Sequence, residues 1–313
     1  VFSPGSGRDY VTGQIEFTAG RLRDTLTVRR VPIAEMFARS NVVLNSGVLT
    51  FAVTAEDNRD IPAWSQGVFF KWGSLIALAS AGNPYDPEVQ AVYYPPHLNP
   101  SDWKGGLIGW DKIPYAHSNF NFSMPSGTGE DVDAFAGYSG NTGFNENVGV
   151  GDICRYISSG PGGKGWVEGE WRLPTNAELE LLYEETGIKT VSMGGFVNMT
   201  AELNRDAGNY LHGNFDPESG WFLGANVTGS MATPANRTTP PSGTVFLPSA
   251  GQRYPDGNGD VVHVGAYGYY WASTPYSVNG GYIADYLFIY KSGVDFNAAD
   301  RSYAFPVRCI KDY

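Results

Sequence analysis

The residues between Tyr276 and Tyr303 are suited to making contacts rather than to breaking bonds. Tyr282, Asp285, Tyr286, Tyr290, Asp295, Asn297 and Asp300 stand close together, with Tyr276, Ser277, Asn279, Phe288 and Tyr303 around them. Tyrosine offers a large, rigid contact area at low entropic cost, and Ser, Asn and Asp add adaptable hydrogen bonds. On a strand from Tyr282 to Tyr290, Tyr282, Ala284, Tyr286, Phe288 and Tyr290 share one face, and Ile283, Asp285, Leu287 and Ile289 the other. Two readings follow. Either an exposed aromatic and polar face continues through "SGVDFNAADRSY", or the sheet is packed on both sides with its tyrosines beneath long loops.

Other chemistry finds little support. The four histidines, His97, His117, His212 and His263, never share a metal-ligand spacing, and neither cysteine has a close partner in sequence. "GPGGKG" at 160–165 lacks the Ser/Thr and the helix of a phosphate loop, so it reads as a surface turn. "DGNGD" (Asp256, Asn258, Asp260) opens like a calcium loop. It lacks Gly at the sixth place and has Tyr267 rather than Glu at the twelfth, so a turn between strands explains it better. Glu130, Asp131 and Asp133 read as a solvated acidic loop. Cys309 sits in an apolar strand, a poor place for a reactive thiolate. No G-x-S-x-G marks a nucleophile. The expectation is no catalytic residue, no metal and no cofactor.

The chain of 313 residues is long enough for a substantial core. Charged residues make up only 17%, while aromatics reach 14% beside 40 Gly and 20 Pro, which points to a β- and loop-rich protein. A net charge of −11 argues against nucleic acid as a partner. No apolar run is long enough to span a bilayer, and the first residues carry no signal-peptide pattern. Cys154 and Cys309 fit either reduced thiols or a single disulfide. Composition suggests a soluble, extracytoplasmic protein.

The elements that would position the contact residues can be read in order. Residues 1–31 contain one hairpin, with Ile15–Phe17 and Leu26–Val28 on either side of Ala19-Gly20; it is a docked hairpin or the end of an upstream Ig-like domain. "NVVLNSGVLTFAV" is a second hairpin. "GVFFKWGSLIALAS" is a buried strand or a short core helix, which periodicity cannot separate. Residues 83–152 and 194–241 read as loops. "PTNAELELLYEETG" is a helix with a Thr175/Glu178 capping box, Leu179, Leu182 and Tyr183 on one face, and Gly187 as its stop. The last seventy residues read as strands. The sum is an α+β domain over residues 32–313, with small twisted antiparallel sheets, one or two helices and long loops.

Five stretches in register carry a family resemblance: "WRLPTNAELELL", "FLPSAGQR", "GAYGYYWAST", "YIADYLFIY" and "RSYAFPVRCIKD". The first looks like the helix entry of formylglycine-generating-enzyme-type C-type-lectin folds. The series resembles the Fibrobacter succinogenes major paralogous domain. Upstream, "NVVLNSGVLTFAV" and "QGVFFKWGSLIALAS" resemble the lectin-like C-terminal domains of Bacteroidales fimbrial tip adhesins. The resemblance implies a C-type-lectin-like fold whose first hairpin pairs near the last strand. It implies structural roles for Trp171, Arg172, Leu173, Pro174, Trp271, Arg301 and Arg308, and a Cys154–Cys309 disulfide in a secreted protein. The chain departs from the family at two places: the sugar-site tripeptides of calcium-dependent lectins are missing, and so are the paired cysteines of formylglycine-generating enzymes.

Variable proteins of diversity-generating retroelements share this fold and vary through mutated adenine-containing codons. The late segment resembles one such outcome, with Asp285, Tyr286, Phe288, Tyr290, Asp295, Asn297, Ala298, Ala299, Asp300 and Tyr303 at such positions. What the resemblance implies is a ligand-binding module, an adhesin or receptor-binding tip, on a bacterial surface, a pilus tip or a phage. Its partners would be surface proteins or glycans, with pilus subunits or phage tail proteins at the N-terminal segment. The competing expectations are a structural pilus subunit and a polysaccharide-active enzyme working through paired carboxylates. The Asn-x-Ser/Thr sites at Asn121, Asn198, Asn226 and Asn236 leave a eukaryotic secreted origin open.

Overall fold

A computed structural model describes residues 11–30, 33–38, 41–45, 47–51, 67–79, 88–96, 98, 107–117, 132–159, 170–184, 191–193, 208–212, 244–248, 250–255, 259–263, 267–276, 282–290 and 293–312. The first hairpin is β1 (Val11–Ala19) and β2 (Leu22–Arg30), paired without a break around Gly20, whose positive φ suits the turn. One helical turn, α1 (Ile33–Met36), leads to the hairpin β3 (Val43–Asn45) and β4 (Val48–Thr50). The apolar run that follows is strand, turn, strand: β5 (Phe69–Lys71) and β6 (Ala77–Leu78). Gly73 makes the turn at φ +68, and a Cβ there would stand 2.5 Å from the Cβ of Ala116.

Residues 83–152, read as loop from the sequence, contain β7 (Glu88–Tyr93), β8 (Leu107–Gly109), and the short pair β9 (Phe144–Asn145) and β10 (Val150–Gly151). Two helices follow, α2 (Ile153–Ser159) and α3 (Asn176–Glu184), with β11 (Trp171–Arg172) between them. The second stretch read as loop also contains a strand, at residues 208–212. β12 (Val191–Met193), β13 (Gly208–His212) and β14 (Thr244–Pro248) form a three-stranded sheet. The chain ends with β15 (Gln252–Arg253), β16 (Val261–Val262), β17 (Gly268–Tyr276), β18 (Ile283–Tyr290), β19 (Gly293–Asp300), β20 (Ala304–Pro306) and β21 (Ile310–Lys311). The whole is small antiparallel sheets with few helices, compatible with an α+β or mostly-β fold. No helix among the described residues is long and apolar enough to cross a membrane.

The largest sheet runs β16-β15-β20-β5-β6-β7-β8. Both its faces are covered at β5: Phe69 packs with Ile76, Leu78 and Ile108, and Phe70 with Trp72, Trp271 and Phe305. Coverage on both faces is why this segment is apolar without alternation. Two indoles tie it to the β17–β19 sheet: Trp72 Nε1 donates to Ala272 O at 2.8 Å, and Trp271 Nε1 donates to Phe70 O at 2.9 Å.

The two ends of the domain are clasped together. The segment entering the β3–β4 hairpin runs beside the last strand, with Ala38 N–H donating to Cys309 O and Val42 N–H to Val307 O. Among the described residues β1 pairs only with β2. Buried Arg308 donates to Asn41 Oδ1 and Ala38 O, both at 2.9 Å. Cys154, in α2, is bonded to Cys309, with Cα atoms 5.8 Å apart.

At the start of α3, Thr175 N–H donates to Glu178 at 2.9 Å and Glu178 N–H to Thr175 Oγ1 at 3.3 Å. Arg172 grips Glu178 with two bonds of 2.6 and 2.7 Å, and donates to Asp312 at 3.1 Å. Arg155 donates to Asp312 and Asp133, so Asp133 belongs to an ion-pair network. Pro174 O accepts from Ser273 N–H at 2.7 Å, and Asn176 N–H donates to Thr274 Oγ1 at 2.8 Å, which fixes α3 against β17. Burial pushes the Glu178 carboxyl up, but Arg172 and Thr175 outweigh it and hold the group below its usual 4.5. Because the folded value is the lower one, the stabilisation is full above about pH 4.5 and is lost as pH falls through the folded value. We expect the urea midpoints of wild type and Glu178→Gln to differ at pH 7 and to converge as pH falls through the folded value of Glu178. A gap that stays constant with pH would show that the carboxylate charge contributes nothing.

Candidate functional site

The sheet order β17-β18-β19 sets which late residues meet. One cross-strand row joins Tyr276, Ile283 and Asp300, so the end of the sheet collects Tyr276, Tyr282 and Asp300. Tyr276 is 42% exposed and Tyr282 53%, and Asp300 is exposed beside them. Arg301 follows directly, with its N–H donating to Tyr282 O at 2.9 Å. Ser277 and Asn279 lie outside the described residues.

A second set runs across the body of the sheet. Trp271, Tyr286 and Asn297 form one row, and Tyr269, Phe288 and Asp295 the next. Burial falls steadily along both rows: the β17 residues are buried, the β18 residues half-buried and the β19 residues exposed. Tyr286 packs on Phe305 at 5.0 Å and Phe288 on Tyr269 at 5.1 Å. Tyr290 stacks on Phe288 at 5.3 Å, and Tyr303 meets Tyr254 at 5.1 Å. The opposite face is closed by Leu287 and Ile289, packed with Leu179 and Leu182 of α3.

The sheet is therefore packed on both sides over β17 and much of β18. Asp285 is the clearest correction to a wholly exposed face: at 8% exposure it is buried, paired with Ala298 in the ladder. Tyr286, Phe288, Ala298, Ala299 and Tyr303 are half-buried, and Tyr286, Phe288, Ala299 and Tyr303 pack against the core. Of the sequence-read contact residues that are described, Tyr276, Tyr282, Asp295, Asn297 and Asp300 are the exposed ones, and half-buried Tyr290 extends the stack from Phe288. Trp271, Arg301 and Arg308 are fully enclosed.

Tertiary structure adds neighbours at the Tyr276–Asp300 end. The segment after β8 carries Tyr115 and His117, whose rings lie 4.7 Å apart. Beneath them Lys71, only 2% exposed, donates to Trp110 O at 2.6 Å and sits under the rings of Trp110 at 4.3 Å and Tyr115 at 4.9 Å. Burial lowers the Lys71 ammonium to about 8, against the pull of Asp111 and Asp300. Burial, then Lys71 and Arg301, hold His117 below its ordinary value. Arg301 lies over the Trp72 ring at 4.1 Å and donates to Ile283 O at 3.0 Å. Sequence reading passed over Lys71, Tyr115 and His117 as site residues. The only local signal was a single cation inside the apolar run "FFKW".

Among the described residues, no group of three His, Cys, Asp or Glu side chains converges as metal ligands would. The Asp152 carboxyl is pushed up to about 7, by burial and then by Asp133. It is fully enclosed, accepting the N–H groups of Cys154 and Leu173 at 2.8 Å each, so it anchors the start of α2. Comparison with family models, curated proteins and solved structures finds no match.

Proposed function

We propose that residues 32–313 form a C-type-lectin-like ligand-binding module rather than an enzyme. The module works outside the cell, as an adhesin or receptor-binding tip on a bacterial surface, a pilus tip or a phage. The late strands resemble the variable segment of diversity-generating-retroelement proteins, in which a fixed frame carries changeable contact residues. One observation carries the reading: exposed Tyr276, Tyr282 and Asp300 end a sheet whose interior is pinned on both faces. Such a division lets contact residues differ without disturbing the core that Trp271, Arg301, Arg308 and the Cys154–Cys309 bond hold together.

The test is a screen of the intact protein on arrays of surface proteins and glycans, repeated with Tyr276→Ala and Tyr282→Ala. Tyrosines at the centre of an interface contribute about 2 kcal/mol or more, so each variant should bind its ligand about 30-fold more weakly. Because both rings are largely exposed, the melting temperature should stay within about 2 °C of wild type. Binding that survives both substitutions would move recognition away from this end of the sheet.

A further inference from the structure

β19 is the outer strand of its sheet. It pairs with β18 from Gly293 to Asp300, and among the described residues no strand pairs with its other side. Natural proteins guard such edges with lysine, proline, bulges or a covering segment. β19 contains no proline and no cation, and its register with β18 is unbroken. The Ala298 N–H turns out of the ladder and donates to the side-chain oxygen of Asn297 at 3.0 Å. A rotation of that one side chain releases the amide to an incoming strand.

The charges select the occupant. Asp295 and Asp300 are exposed, while the described residues of β17, β18 and β19 include no Lys or Arg. The cations nearest Asp300 are turned inward, Lys71 onto Trp110 O and two rings, Arg301 onto Ile283 O and the Trp72 ring. A second copy fits poorly. β19 carries two aspartates and no cation, so two copies of it bring only negative charge together. Each copy also carries a net charge of −11. A neutral glycan supplies neither a cation nor a row of amides.

We propose that β19 takes an extended, Lys- or Arg-bearing segment of a partner protein as a fourth strand, main chain to main chain, with cations at Asp295 and Asp300. This rests on the binding reading above and narrows its ligand to a basic polypeptide. Main-chain bonds supply affinity in this mode and alternate side chains supply specificity. Asp295 and Asp300 are five positions apart and so point to opposite faces, which places the two cations an odd number of residues apart on the incoming strand.

The probe is a short, end-blocked Val/Thr peptide with two lysines five positions apart, and its control has glutamate at both places. Amide hydrogen exchange is followed on the full chain. The lysine peptide should slow exchange at Ala298, and at the alternate amides of Val294 and Phe296, by about tenfold or more, and the glutamate peptide should not. Salt at about 0.5 M should weaken the effect, since exposed charges are screened. Asp295→Lys combined with Asp300→Lys should reverse the preference between the two peptides. Ala298→Pro should abolish protection, because proline is tolerated on an edge whose N–H faces outward and removes that donor. If the proline variant melts early, the charge-reversal variant decides. Protection by neither peptide, or by both equally, overturns the proposal. So does an oligosaccharide that binds at Asp295 and Asn297 without slowing any β19 amide. A ligand that needs Tyr276 and Tyr282 yet slows no β19 amide leaves the binding reading standing and removes the strand addition.

Discussion

Replacing Cys154 and Cys309 together with alanine should lower the unfolding free energy by about 4–5 kcal/mol. The bond spans 155 residues, and on the chain-entropy account a loop of that length removes about 5 kcal/mol of freedom from the unfolded chain. Alanine is the right replacement because both sulfurs are buried in the main core cluster, where a serine hydroxyl would need a partner. The native fold should persist. Arg155 still bridges Asp312 and Asp133, Arg172 still joins Asp312 to Glu178, and Arg308 still ties the last strand to Ala38 and Asn41. Urea unfolding of the double variant, beside wild type with and without reductant, measures the difference. A loss below about 1 kcal/mol would show that the unfolded chain is already restrained, so that the crosslink removes little entropy.

Trp271→Ala should cost about 3–5 kcal/mol, the range for removing a large buried aromatic. The indole is fully buried and stacks on Phe305 at 4.1 Å. It also meets Tyr286 edge-on at 6.2 Å and donates to Phe70 O. Truncation opens a cavity between the two sheets and removes the indole's hydrogen bond to that buried carbonyl, which adds to the cost. Trp271→Phe should recover much of the packing but not the hydrogen bond, and so cost about 1–2 kcal/mol. Chemical denaturation of the two variants separates the contributions. Because Tyr286 rests on this ring, Trp271→Ala should also weaken ligand binding together with stability, whereas Tyr282→Ala should weaken binding alone. A Trp271→Ala variant that kept full stability would mean that the sheets are held by contacts other than the paired indoles.

Local elements were legible because their causes lie within a few residues. The Thr175/Glu178 capping box forms as its spacing predicts, since both partners sit in one helical turn. The hairpins at Gly20 and Gly47 form because each turn carries a glycine at positive φ between two runs of strand-forming residues. The late strand "YIADYLFIY" is a strand from Ile283 to Tyr290. Segments whose state depends on distant partners were misread or left open. Glu88–Tyr93 becomes a strand by pairing with β6 and β8, and Phe69–Lys71 is a strand rather than a helix because it pairs with Ala304–Pro306.

For the candidate site the same division holds. By itself the sequence determined which residue types are present late in the chain, and that their alternation makes tyrosine a face-forming residue. Only tertiary structure decided which of them reach solvent. Asp285 is enclosed and Asp295 exposed, although both are aspartates in adjacent strands, because one lies toward the packed interior of the sheet and the other on its edge. Lys71 reaches the site through Trp110, 39 residues away, and Trp271 supports it through Phe70, 201 residues away. Burial and hydrogen-bond partnership over such separations are properties of the folded chain, and no local pattern of residues encodes them.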